Sequence, residues 1–103
     1  MPSHPKPSKV KSKKNLQAVR SKPCIFCAEE NCPQVFPTEA DHIDSKGSGG
    51  DDSEDNLWPA CTKHHAERHR IGILTFIRKY SSARIFLGIM GRQDILSKAR
   101  EQI

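Results

Sequence analysis

Two pairs of metal-ligand residues stand far apart in the sequence and share one internal spacing. Cys24 and Cys27 form the first pair, and Cys61 and His64 form the second, with two residues inside each pair. A gap of two residues lets both members face one tetrahedral ion, and three thiolates with one imidazole are a usual zinc set. The sequence therefore predicts a structural zinc ion that closes residues 28–60 into a loop.

Two alternatives to this zinc set stay open. Cys32 could replace one of the four ligands or be a buried thiol. The pair Cys24 and Cys27 could instead be a thioredoxin-like redox motif, but no βαβ pattern surrounds it. We therefore expect the first two cysteines to bind metal.

A second set of polar residues lies among the zinc ligands. Its members are Asp41, His42, Asn56, His65 and His69. If a helix begins near Cys61, then Cys61 and His64 share one face of it, because they are three residues apart. His65 and His69, four apart, share a face rotated by roughly a quarter turn. One helix can therefore serve two metal sites. Alternatively, His65 and His69 are surface histidines of a polar helix.

These residues resemble the His-Asn-His (HNH) endonuclease motif. The match consists of the Asp41–His42 pair, Asn56 and His65, together with the cysteine pairs of the zinc-knuckle branch of that family. It covers residues 22–80 and looks like the small stand-alone HNH proteins of phages and prophages, of the group related to a phage recombination-enhancement protein. Two positions differ from the family pattern: many members have Cys where His64 stands and His where Asp41 stands.

The resemblance implies a metal-dependent DNA endonuclease or nickase with the ββα-metal fold. His42 is the predicted general base, since a neutral imidazole titrates near working pH. Asn56 is predicted to orient His42 through a hydrogen bond and to pin the loop, or else to reach the metal. Mg²⁺ or another divalent ion is expected on three further residues: Asp41, His65 and His69.

A noncatalytic zinc module that binds nucleic acid or another protein is the alternative function. Both functions need the four zinc ligands, and only the nuclease also needs the second set of polar residues. All members of that set are present, so we favour the nuclease.

Basic residues lie on both sides of an acidic centre in this chain of net charge +5. Residues 1–22 contain seven basic residues and no acid, whereas residues 29–56 contain nine acids against Lys46 alone. This pattern favours binding of a polyanion at the flanks and of cations in the centre, although a solvated tail and an acidic loop would look the same. The candidate phosphate contacts, which could also be merely solubilising, are Lys63, Arg68 and Arg70.

No apolar run approaches the ~18 residues that cross a bilayer, and the start lacks a signal-peptide segment. We therefore expect a cytoplasmic protein with no membrane partner, where reduced thiols favour metal over disulfides. The resemblance implies DNA as the main partner, with phage packaging or recombination proteins as further ones.

The elements that must position these residues follow from periodicity and from breaker residues. Pro37 confines the start of the first strand to an edge or a bend, and Gly72 is a favoured helix stop. The order of elements predicts a small α+β fold, which the resemblance specifies as a ββα-metal core with a zinc knuckle and C-terminal helices. The predicted elements are a helical turn over residues 16–20, strands over 35–43 and 56–60, a loop over 45–56, a helix over 61–71, apolar helical stretches over 73–90 and a last helix over 95–103.

Composition divides the chain into three segments. Residues 1–15 are rich in Pro, Ser and Lys and are predicted to be a basic, disordered arm. Residues 16–80 form the predicted HNH nuclease domain with its zinc knuckle, and residues 81–103 form a helical extension of the same domain. A core of this size seldom supplies enough stability alone, which agrees with support from a metal.

Overall fold

The computed structural model describes residues 10–45 and 50–101. Predictions for most of the arm, for the glycine-rich tip of the central loop and for the end of the last helix lie outside the described residues. Within the described ranges the fold is α+β, with six α-helices and one two-stranded antiparallel sheet. The elements are α1 (Lys13–Arg20), α2 (Ile25–Glu30), β1 (Glu39–His42), a 3₁₀ turn (Glu54–Asn56), β2 (Leu57–Ala60), α3 (Thr62–Ile71), α4 (Ile73–Lys79), α5 (Ser81–Ile89) and α6 (Gln93–Glu101).

The predicted disordered arm is wrong for the part of residues 1–15 that the structure describes. Helix α1 begins at Lys13, and the hydroxyl of Ser12 caps it by accepting from the backbone N–H of Asn15. The backbone N–H of Val10 donates to a carboxylate oxygen of Asp51 at 3.1 Å. This order depends on polar contacts with a distant loop rather than on apolar burial, so composition did not reveal it.

Strand β1 is shorter than the predicted strand over residues 35–43. Val35 and Phe36 are exposed, and Pro37 has no backbone N–H for a sheet ladder. The backbone N–H of Thr38 bonds to the carbonyl oxygen of Arg20 instead of to a strand. Regular pairing therefore begins only at Glu39 and runs against β2.

The hairpin of β1 and β2 leads directly into α3, and its register places the functional side chains. Asp41 lies opposite Trp58, and His42 lies opposite Leu57. Because successive strand residues point to opposite faces, Asp41 and His42 project away from each other. Asp41 is buried, whereas His42 is half-buried.

An aromatic core joins the hairpin to the helices. The rings of Phe26 and Trp58 lie edge to face with centroids 5.1 Å apart, and the rings of Phe26 and Phe76 do so at 4.7 Å. Leu87 of α5 and Leu96 of α6 are buried in the same core. Residues 81–101 therefore pack with the rest of the chain.

In the described part of the chain, every helix is too short or too polar to cross a membrane.

Candidate metal sites and active site

The four predicted zinc ligands meet where two helices begin. Cys24 precedes α2 and Cys61 precedes α3, and each sulfur accepts a hydrogen bond from the backbone N–H three residues on. The Nδ1 atom of His64 lies 3.1 Å from the Cys61 sulfur, 3.5 Å from that of Cys27 and 3.6 Å from that of Cys24. Zinc bonds of about 2.3 Å to sulfur and 2.0 Å to nitrogen separate tetrahedral ligand atoms by roughly 3.5–3.8 Å. The residues present therefore fit a zinc ion.

The pKa values of two thiols in this cluster are shifted in opposite directions. Burial and the neighbouring thiols raise the pKa of Cys27. Burial acts in the same direction on Cys61, but hydrogen bonds from the backbone N–H and ring of His64 outweigh it and lower the pKa of Cys61 to about 7. One thiol of the set is thus ready to ionise near neutral pH, and the thiolate is the form that ligates metal.

A glutamate that the sequence pattern did not single out orients the zinc histidine. The carboxylate of Glu30 lies 2.6 Å from Nε2 of His64 and thereby directs Nδ1 toward the cysteine sulfurs. The Tyr80 hydroxyl lies within hydrogen-bond distance of Glu30 and of Glu67, and its single proton is shared between the two carboxylates. The one signal in the sequence was the position of Glu30, three residues after Cys27 on the same short helix.

Cys32 is close to this cluster without being one of the four ligands. Its sulfur lies within 4.8 Å of ligand atoms of Glu30 and His64. All four cysteines are free thiols. The geometry thus leaves Cys32 beside a complete Cys₃His set.

A second group of ligand atoms lies between β1 and α3. Oδ1 of Asp41 is 3.2 Å from Nε2 of His65, which is 3.1 Å from Nε2 of His69. All three atoms lie within 4.8 Å of one another. The positive charge of nearby Arg68, together with burial, lowers the pKa of His69 and so favours its neutral, metal-binding form. A carboxylate and two imidazoles suit a divalent ion.

Glu39 orients the first histidine of this group. Its Oε1 atom lies 2.5 Å from Nδ1 of His65, which leaves Nε2 facing Asp41. The sequence pattern did not single out Glu39, although its position two residues before Asp41 on the same strand places both side chains on one face. His64 and His65 of α3 thus each contact a glutamate through one ring nitrogen, and the other ring nitrogen of each faces a separate ligand set.

Arg68, predicted as a phosphate contact, lies inside the molecule rather than on its surface. The side chain is buried and its guanidinium donates to both carboxylate oxygens of Asp41 and to the carbonyl oxygen of His42. The indole N–H of Trp58 donates to the same carboxylate at 2.8 Å. These contacts hold the Asp41 carboxylate rigidly and partly neutralise it.

The other two predicted phosphate contacts are exposed residues of α3. Lys63 is exposed over 68% of its side chain, and Arg70 is also exposed. Their roles therefore remain predictions. Arg68 is buried, unlike these two residues, because its side of α3 packs against β1. The spacing of residues within the helix does not reveal this long-range contact.

Asn56 pins the loop between the strands and makes no hydrogen bond to His42 in the described structure. Its side chain accepts from the backbone N–H of Asp44 at 2.7 Å and donates to the carbonyl oxygens of Asp44 and Asp51. At Gly50 a Cβ atom would lie 1.8 Å from the carbonyl oxygen of Asp44, so the loop closes here only with glycine. The expected direct hydrogen bond to His42 is thus wrong, and only the loop contacts are seen.

The partner of His42 is Asp52, which the sequence pattern did not single out. Nε2 of His42 lies 2.7 Å from Oδ1 of Asp52. The His42 side chain is 22% exposed, so solvent reaches the ring. No local pattern links these two residues, since the loop must fold back before they meet.

No protein-family model, no curated protein and no solved structure matches this chain.

Proposed function

We propose that this chain is a metal-dependent DNA endonuclease or nickase of the HNH type. The observation that carries the proposal is the convergence of the Asp41, His65 and His69 ligand atoms on a hairpin-and-helix unit that also carries His42. The order of strand, strand and helix agrees with a ββα-metal core. A separate Cys₃His set at the start of the same helix agrees with the zinc-knuckle branch.

The two ligand sets have different chemistry, which supports different roles. The Cys₃His set has four protein ligands, all buried except the half-buried Cys61, so a zinc ion there has no open position and acts structurally. The second set has three protein ligands and lies at the surface on the side of His69, which is exposed. Mg²⁺ or another divalent ion held there would act as a Lewis acid toward the phosphate and the leaving 3′ oxygen.

The residues of the chain itself supply the proton transfer. A ring nitrogen of His42 takes a proton from water, the water oxygen attacks phosphorus, and the bond to the 3′ oxygen breaks. Solvent then protonates the 3′ oxygen, which leaves a 5′-phosphate and a 3′-hydroxyl. Arg68 and Trp58 hold Asp41 in place, and Glu39 does so for His65.

The test is plasmid cleavage by protein loaded with zinc and given Mg²⁺, Mn²⁺ or Ni²⁺ in separate reactions. We expect nicking that requires the added ion and that falls roughly 10²–10⁴-fold in His42→Ala, the usual contribution of a positioned base. The variant, purified in the same way, also controls for contaminating nucleases. The His42→Ala variant should keep its zinc content and its affinity for DNA.

A wild-type protein that never cuts with any of these ions would overturn the proposal. The noncatalytic zinc module that binds nucleic acid or protein would then be the better function. Cleavage by His42→Ala at the wild-type rate would instead remove His42 from the role of general base.

A further inference from the structure

Asp52 and His42 form a close pair at the end of β1. The distance from Nε2 of His42 to Oδ1 of Asp52 is 2.7 Å, and the Asp52 side chain is only 4% exposed. A carboxylate has no proton to donate, so Nε2 must carry the hydrogen of this bond. In the neutral imidazole the Nδ1 atom then has a free lone pair, and no described residue donates to it.

The first described residues of the chain hold Asp52 from its other side. The backbone N–H of Ser12 donates to Oδ2 of Asp52 at 3.0 Å, so the two carboxylate oxygens face different partners. The backbone N–H of Asp52 donates to the carbonyl oxygen of Val10, and the Asn15 side chain donates to the carbonyl oxygen of Asp52. We call residues 10–15 the N-terminal strap.

We propose that Asp52, held by the N-terminal strap, is a positioning residue that fixes the orientation and the tautomer of His42. The inference rests on the proposed function, in which His42 acts as the base. With its hydrogen on Nε2, the imidazole presents Nδ1 as the atom that accepts the proton of water. A segment that composition placed in a disordered arm thereby becomes part of the active site.

Asp52→Asn is the sharpest variant, because the asparagine side chain is nearly the same size as that of aspartate. The Ser12 N–H can only donate, so it draws the oxygen of the new amide to itself and leaves the amide NH₂ facing His42. Nε2 must then accept, and Nδ1 carries the hydrogen and no longer serves as a base. A merely structural Asp52 would instead tolerate asparagine better than alanine.

The experiment measures single-turnover cleavage of plasmid DNA at saturating protein, with DNA affinity and zinc content measured separately. We expect Asp52→Asn to cut roughly 10²–10⁴-fold more slowly than wild type, at least as slowly as Asp52→Ala, with DNA affinity and zinc content unchanged. Asp55→Asn is the matched control, because the Asp55 side chain is exposed and its contact with Arg92 uses the backbone carbonyl oxygen, which the substitution keeps. It should cut at nearly the wild-type rate.

A second readout does not depend on activity. Nitrogen NMR shifts of His42 should report a hydrogen on Nε2 in the wild type and on Nδ1 in Asp52→Asn. A wild type that cuts DNA while Asp52→Asn cuts equally fast, or a wild-type ring with its hydrogen on Nδ1, would overturn the inference and leave the nuclease standing. A wild type that never cuts would instead overturn the nuclease and, with it, the role of Asp52 in catalysis.

Discussion

His64 and His65 are neighbours in the chain, yet they face different ligand sets, and this makes them a sharp pair for mutation. His64→Ala should lose zinc and with it the fold, because the imidazole is fully buried among the cysteines. His65→Ala should keep zinc and fold but cut DNA poorly, and excess Mn²⁺ should restore part of its activity. Zinc analysis, circular dichroism and cleavage as a function of Mn²⁺ concentration check both variants. Equal loss of zinc in the two would contradict the division into two sites.

Arg68 and Asp41 form a buried ion pair, and Asp41 is also one of the three ligands of the proposed divalent ion. Arg68→Ala leaves the Asp41 carboxylate buried without its cation, and we expect a loss of about 3–5 kcal/mol in the free energy of unfolding. Added Mn²⁺ should raise the melting temperature of this variant more than that of the wild type, because the ion replaces the missing positive charge.

The matched control for this prediction is Arg70→Ala, on the same helix but exposed. It should change stability by no more than about 0.5 kcal/mol and show the wild-type response to Mn²⁺. If Mn²⁺ stabilises Arg68→Ala no more than the wild type, Asp41 does not bind the ion.

At the scale of elements, Arg92 connects the turn between α5 and α6 to the loop that joins β1 to β2. Its guanidinium donates to the carboxylate of Asp44 at 2.8 Å and to the carbonyl oxygen of Asp55 at 2.9 Å. Arg92→Met should cost about 1.5–3 kcal/mol, the usual range for hydrogen bonds to charged groups, and should speed amide exchange in the loop over residues 50–56. Arg100 is an exposed arginine of α6, and Arg100→Met is the control. It should change neither the free energy of unfolding nor the amide exchange of this loop.

The contact between Arg92 and Asp94 predicts how the stability of the fold depends on pH in acid. Hydrogen bonds from Arg92 lower the pKa of Asp94, against the opposing effect of burial. The pair therefore stabilises the fold above the ordinary pKa of an aspartate, near 3.8, and this contribution is lost as pH falls through the lowered value. Asp94 is 63% exposed, so we expect a small effect. Arg92→Met should lack this part of the acid sensitivity in melting experiments between about pH 2 and 6.

At the scale of the whole molecule, the zinc set is part of the core. The rings of Phe26 and Tyr80 pack against the ring of His64, with centroids 5.8 Å and 5.5 Å away. Stripping zinc with a strong chelator should therefore unfold the protein, and Cys61→Ser should do the same, whereas Cys32→Ser should be mild. Zinc stoichiometry and circular dichroism check this. A folded, zinc-free protein would contradict it.

The basic start of the chain is expected to act on binding rather than on chemistry. Deleting residues 1–9 removes Lys6 and Lys9 but keeps the N-terminal strap. It should weaken DNA binding and flatten its salt dependence by up to about 0.9 for each phosphate that the shortened chain no longer neutralises. Cleavage at saturating DNA should be unchanged. An unaltered salt dependence would mean that these residues do not touch DNA.

Local spacing predicted which residues cluster, because a short gap constrains where two side chains can point. The pairs Cys24–Cys27 and Cys61–His64 needed only the start of a helix to converge. The separation of His64 from His65 likewise followed from helix geometry alone. The predicted ends of strands and helices were less accurate where a contact with a distant residue decides the end. At Thr38, for example, the backbone N–H bonds to the carbonyl oxygen of Arg20 rather than to a strand.

The sequence by itself determined the α+β order and pointed to the residues of both clusters, because the members of each pair Cys24–Cys27, Cys61–His64 and His65–His69 lie close together on or beside one helix. Only the tertiary structure decided what holds those residues in place. Arg68 reaches Asp41 across 27 positions, and Ser12 reaches Asp52 across 40. Such contacts follow no period in the sequence, since they depend on how the hairpin, the helix and the first residues pack against one another.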